Sequence, residues 1–134
     1  MKAKQIQIAD DDATLVRILE VRMRNLGFDA QASHDAMHAL MLVHKNLSDL
    51  VVIEDVMFAG DGSTVCQRIE SDRRLRHMPM ILLTHQSEPH MMDCCRELGA
   101  YLIIKTLNIW ESLKMTIKKI LGCDKQCAEI CYVS

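Results

Sequence analysis

Four strand-like segments of this chain end on residues able to do chemistry. Lys4–Ala9 (KQIQIA) runs straight into Asp10-Asp11-Asp12, and the apolar run Leu50–Ile53 ends on Glu54 and Asp55. Met80–Leu83 ends on Thr84, with His85 next, and Tyr101–Ile104 ends on Lys105. Carboxylates at the end of a buried strand must be paired, bound to a cation or put to use. Several of them close together repel one another unless something positive intervenes.

These residues meet only if the strands lie side by side, and the pattern between them supplies that arrangement. Leu15, Leu19, Met23 and Leu26 recur at helical spacing, with Asp12 placed to cap the helix and Gly27 to stop it. Phe28–Ala32 reads as a second strand, and Asp35–Lys45 as a helix with Ala36, Leu40 and Val43 on one side. Leu50–Ile53 is a continuous apolar run suited to a sheet covered on both faces. Helices are expected over Gly62–Asp72 and Glu88–Leu98. A last helix is capped by Asn108, with Glu111 completing a capping box and Leu113, Ile117, Ile120 and Leu121 forming its buried stripe. Strands alternating with helices, about five of each, indicate an α/β domain with a doubly wound five-stranded parallel sheet. Ligands of such sheets bind outside the carboxyl ends of the strands, where these acids, the hydroxyl and the ammonium all fall.

The chain of 134 residues fits one domain, residues 1–121, followed by a Cys-rich tail, 122–134, that could extend the last helix. A net charge of −2 offers no electrostatic reason for nucleic acid or an anionic membrane as a partner. Asp10-Asp11-Asp12 interrupts any signal-peptide core after the basic first residues, and no apolar run approaches a bilayer's thickness. A cytoplasmic protein is expected, and its six cysteines read as reduced thiols.

The constellation resembles the receiver domains of bacterial two-component response regulators, which share a flavodoxin-like fold. Asp10 and Asp11 match the family's acidic pair after the first strand, Thr84 its hydroxyl and Lys105 its lysine. Ile69–Thr84 (IESDRRLRHMPMILLT) and Gly99-Ala100 carry the likeness further. The resemblance implies phosphorylation of a strand-three aspartate, Mg²⁺ held by clustered carboxylates (here Asp10, Asp11 and Glu54), and a switch through Thr84 and Lys105. It also implies signalling to a histidine kinase or downstream effector by protein contact. The surface of the fourth helix, fifth strand and fifth helix is the implied docking or homodimer face.

The family motif reads Asp, two residues, Met-Pro, two residues, Asp-Gly. Aligning it on Met57 and on Asp61-Gly62, or counting from Asp49, puts Glu54 at the phosphoacceptor position. Phe58 stands for the usual Pro, His85 for a small residue beside the phosphate, and Thr106 for the Pro after the lysine. One residue fewer between Gly99 and Lys105 puts Leu102 at the aromatic switch position and Tyr101 just before it. Three readings stay open: Glu54 stands in for phosphoaspartate in a phosphorylation-independent docking module; a bulge brings Asp55 in as acceptor; or Glu54 is merely solvated or salt-bridged.

One rival comes from another class. Asp10-Asp11-Asp12-Ala13-Thr14 fits D-x-D-x-T, which resembles the first motif of haloacid-dehalogenase-type phosphatases, although no second acidic pair follows. A non-enzymatic receiver is the expectation. His34 and His38 sit four apart without a third ligand and read as surface residues. Cys123, Cys127 and Cys131 read as a helical tail, and His85 could lend pH sensitivity.

Overall fold

Leu50–Glu54 (β3) is buried along its whole length, as its unbroken apolar run requires, and it forms the middle of the sheet. The computed structural model describes residues 3–57, 60–85 and 89–122. Around β3 lie β1 (Gln5–Ala9), β2 (Asp29–Ser33), β4 (Met80–Thr84) and β5 (Tyr101–Ile104), all parallel, in the order β2-β1-β3-β4-β5. The intervening helices are α1 (Ala13–Asn25), α2 (Ala36–Asn46), α3 (Gly62–Ser71) and α4 (Pro89–Leu98), with α5 (Ile109–Leu121) last. This is the doubly wound sheet expected from the sequence.

Successive strand residues face opposite sides of a sheet, and the two cores follow that rule. Leu50 and Val52 join Ile6, Ile8, Ile81 and Leu83 beneath α1 and α5, which contribute Leu19, Met23, Leu113 and Ile117. Val51 and Ile53 join Ala9, Met80 and Leu82 beneath α2, α3 and α4, which contribute Ala39, Val43, Ile69 and Cys95. In α1 the fully packed stripe is Val16, Leu19 and Met23, one residue off the expected start, and Leu15 packs only at its margin. Arg24 on α1 reaches over to β2 and donates to the Ala30 carbonyl at 2.8 Å, while also pairing with Glu20 at 3.2 Å.

Two local devices bear on the site. Asp12 Oδ1 accepts the Leu15 N–H at 3.1 Å, so the third acid of the Asp run caps α1. Asp61 does the same for α3, accepting the Thr64 N–H at 2.8 Å, while the Gly62 N–H donates to the Asp55 carbonyl at 2.7 Å. A Cβ at Gly62 would run into the Glu54 carbonyl oxygen and crowd Leu82 Cδ1, so only glycine lets α3 start this close to the end of β3. The capping box expected on α5 is not formed. Asn108, at φ −102° and ψ 24°, makes no side-chain cap, and its own N–H turns back to Thr106 Oγ1 at 3.2 Å.

Candidate functional site

Strand alternation decides which acid enters the pocket. Ile53 belongs to the core under α2, α3 and α4, so Glu54 turns to the opposite face and Asp55 turns back. Ala9 precedes Asp10 in the same phase, which puts Asp10 and Glu54 on one side of the sheet, at the carboxyl ends of neighbouring strands. Both are desolvated, Asp10 completely and Glu54 to 2% exposure.

Lys105 joins them from the end of β5. Its ammonium donates to Asp10 Oδ2 at 2.9 Å and lies 2.9 Å from Glu54 Oε2, an ion pair off the ideal hydrogen-bond direction. The lysine is held at its root by its own N–H, which donates to the Thr84 carbonyl at 2.7 Å. His85 approaches from the exposed side, with Nε2 3.6 Å from Glu54 Oε1. Thr84 itself is buried at the end of β4. Burial pushes the Glu54 carboxyl above its usual range; the neighbouring Lys105 ammonium opposes this, while the charge of Asp10 adds to it. Burial pulls the Lys105 ammonium the other way, but the adjacent Glu54 and Asp10 carboxylates outweigh that and leave it raised.

Asp55 has a different environment. It is 9% exposed and hydrogen-bonded to Ser63 in the first turn of α3, and burial is the main reason its carboxyl is raised. Ser63 was not legible as its partner, because nothing in GDGST marks one hydroxyl over another. His34 is exposed, as its spacing from His38 without a third ligand implies, and its Nδ1 lies 3.4 Å from the Asp10 carbonyl. Asp11 is exposed, and Phe58, Cys123, Cys127 and Cys131 lie outside the described residues. Cys66, Cys94 and Cys95 are free, and burial pushes the Cys66 thiol up to about 12 and that of Cys95 to about 11. Tyr101 lies on the surface with Lys119 5.9 Å over its ring, and the neighbouring Leu102 is partly buried in the α4 side of the core.

A parallel α/β sheet with two buried acids and a lysine at its carboxyl edge defines a class of switch domains, and comparison with known proteins gives the family. The model of the response regulator receiver domain matches residues 6–116. Over 74% of its length the chain is 39% identical to the transcriptional regulator ycf27 of Galdieria sulphuraria, covering 38% of that protein. It is 30% identical to response regulator PleD of Caulobacter vibrioides over 60% of the chain and 18% of that protein. The crystal structure of a response regulator from Chloroflexus aurantiacus superposes with a TM-score of 0.81 at 28% identity, covering 90% of this chain and 99% of that one. The chemotaxis protein CheY4 of Vibrio cholerae, at 18% identity and a TM-score of 0.81, shares the fold. The chain belongs to the receiver domain family of response regulators, whose role is two-component signal transduction. It spans about two fifths of the length of the ycf27 relatives it matches.

Receiver domains usually bind Mg²⁺ at the phosphorylation site. The expected set of Asp10, Asp11 and Glu54 does not fit such an ion as arranged here. Among the described residues no three Asp, Glu, His or Cys side chains converge on one point. Instead, the buried pair closes on the ammonium of Lys105. The D-x-D-x-T string has a plain explanation too, with Asp10 in the site and Asp12 capping α1. No helix among the described residues is long and apolar enough to cross a membrane.

Proposed function

We propose that this receiver signals by protein docking without the family's aspartyl phosphorylation, with Glu54 standing in for a phosphorylated aspartate. One observation carries the reading: the Glu54 carboxylate ends 2.9 Å from Lys105, so the side chain itself reaches the switch lysine. A glutamate reaches one methylene further than aspartate, so its carboxylate fills space that an incoming phosphoryl group would need. Misplacement of about 1 Å in a preorganised site costs on the order of 100-fold in rate. Receiver domains are typically signalling modules rather than enzymes, which supports the signalling reading over the phosphatase one. The docking or dimer surface is that of α4, β5 and α5, where Met92, Tyr101, Ile104 and Met115 are exposed. A histidine kinase or a downstream effector is the kind of partner implied.

The test is treatment with a small phosphodonor and Mg²⁺, followed by borohydride trapping of any acyl phosphate and mass mapping. The expected result is no adduct on the wild-type chain. An adduct on Glu54 would overturn the reading, and one on Asp55 would replace it with the second reading, that of a phosphorylatable receiver.

A further inference from the structure

We propose that Lys105 is the counter-cation of this site, and that the site is held together without a divalent ion. Two carboxylates taken out of water side by side are strongly unfavourable unless a positive charge stands between them. Mg²⁺ would meet that need only with a near-octahedral shell of oxygens at close to 2 Å. Each of the four carboxylate oxygens here already faces a nitrogen of the protein. Asp10 Oδ1 accepts the Asp12 N–H at 2.9 Å, and Asp10 Oδ2 accepts the Lys105 ammonium at 2.9 Å. Glu54 Oε2 lies 2.9 Å from the same ammonium, and Glu54 Oε1 faces His85 Nε2 at 3.6 Å.

The side-chain length of Glu54 makes this sharing geometrically natural. From the end of β3 its extra methylene carries the carboxylate outward, so one ammonium bridges acids on β1 and β3. Lys105 is only 10% exposed in its side chain and is anchored to Thr84 through its backbone, which favours retention of the bridge over exchange for a hydrated ion. The inference goes beyond the docking reading and does not depend on it: a metal-free site could still prove phosphorylatable, and a docking module could still bind metal.

The experiment is a Mg²⁺ titration of the full chain followed by thermal unfolding, with Mn²⁺ electron paramagnetic resonance as a direct count of bound ion. For the wild type, Tm is expected to move by less than about 1 °C up to about 10 mM Mg²⁺, since an ion stabilises a fold only when it exceeds its Kd. Lys105→Met leaves two buried acids without their cation, and its apparent affinity for Mn²⁺ is expected to be at least about tenfold higher than that of the wild type. If that variant does not fold, the wild-type Mn²⁺ measurement decides alone. Stoichiometric Mn²⁺ binding by the wild type at or below about 1 mM, or a saturable rise of its Tm with Mg²⁺, would overturn the proposal.

Discussion

Glu54 and Asp55 are neighbours in the chain and lie in different electrostatic worlds. Glu54 shares an ammonium with Asp10 at the rim of one core. Asp55 sits against the first turn of α3, over the other core, hydrogen-bonded to Ser63. Both are buried and both carboxyls are raised by burial, yet among the described residues only Glu54 has an opposite charge beside it. One acid is therefore part of a charge arrangement, and the other is a desolvated group held by dipoles.

The largest expected effect comes from removing the charge that separates them. Lys105→Met should cost about 3 kcal/mol in urea unfolding, because it strands two buried carboxylates. A double-mutant cycle sharpens the contrast: coupling of Lys105→Met to Glu54→Gln should be about 1–2 kcal/mol, and to Asp55→Asn within about 0.5 kcal/mol. Equal couplings would erase the distinction between the two acids. Next in size is Gly62→Ala, expected to cost about 2 kcal/mol by forcing the end of β3 away from α3. That substitution disturbs both acids, so its hydrogen-exchange signature should reach Glu54 and Asp55 alike.

The smallest expected effect is a matter of pH. The Asp55 carboxyl is raised from 3.8 in the fold, so folding favours its protonated form. The stability gained from that proton is fully present below the unfolded pKa and is lost as pH rises through the folded pKa. Asp55→Asn should therefore raise stability at pH 7 by about 0.5 kcal/mol. The difference should vanish in urea titrations run near pH 3. A variant less stable than wild type at pH 7 would show that Ser63 needs the carboxylate's charge.

Much of this was legible in the sequence because burial leaves coarse marks. The unbroken run Leu50–Ile53 announced a strand covered on both sides, and register from Met57 and Asp61-Gly62 put Glu54 rather than Asp55 in line with the pocket. Period-two alternation then explains why the two acids must part. What stayed hidden depends on contacts far apart in sequence. Asp10 and Lys105 are 95 residues apart, and no local pattern tells which acids one lysine will bridge. The α1 stripe begins at Val16, in the same core as Ile6 and Ile8, and periodicity within the helix does not encode such partners. Asn108 shows the limit of motif reading, since a capping residue works only in an extended conformation that this backbone does not adopt.

Arg24 has a consequence away from the site. Asp29 gives its N–H to Lys4 on the β1 side, so the Ala30 carbonyl points the other way, along the open margin of the sheet. The Arg24 guanidinium occupies that carbonyl and sets a charged group where a foreign strand would have to dock. The sheet is thus guarded against accretion at β2 by a side chain lent from α1. An Arg24→Ala chain should pair edge to edge and aggregate more readily, while its signalling pocket stays intact.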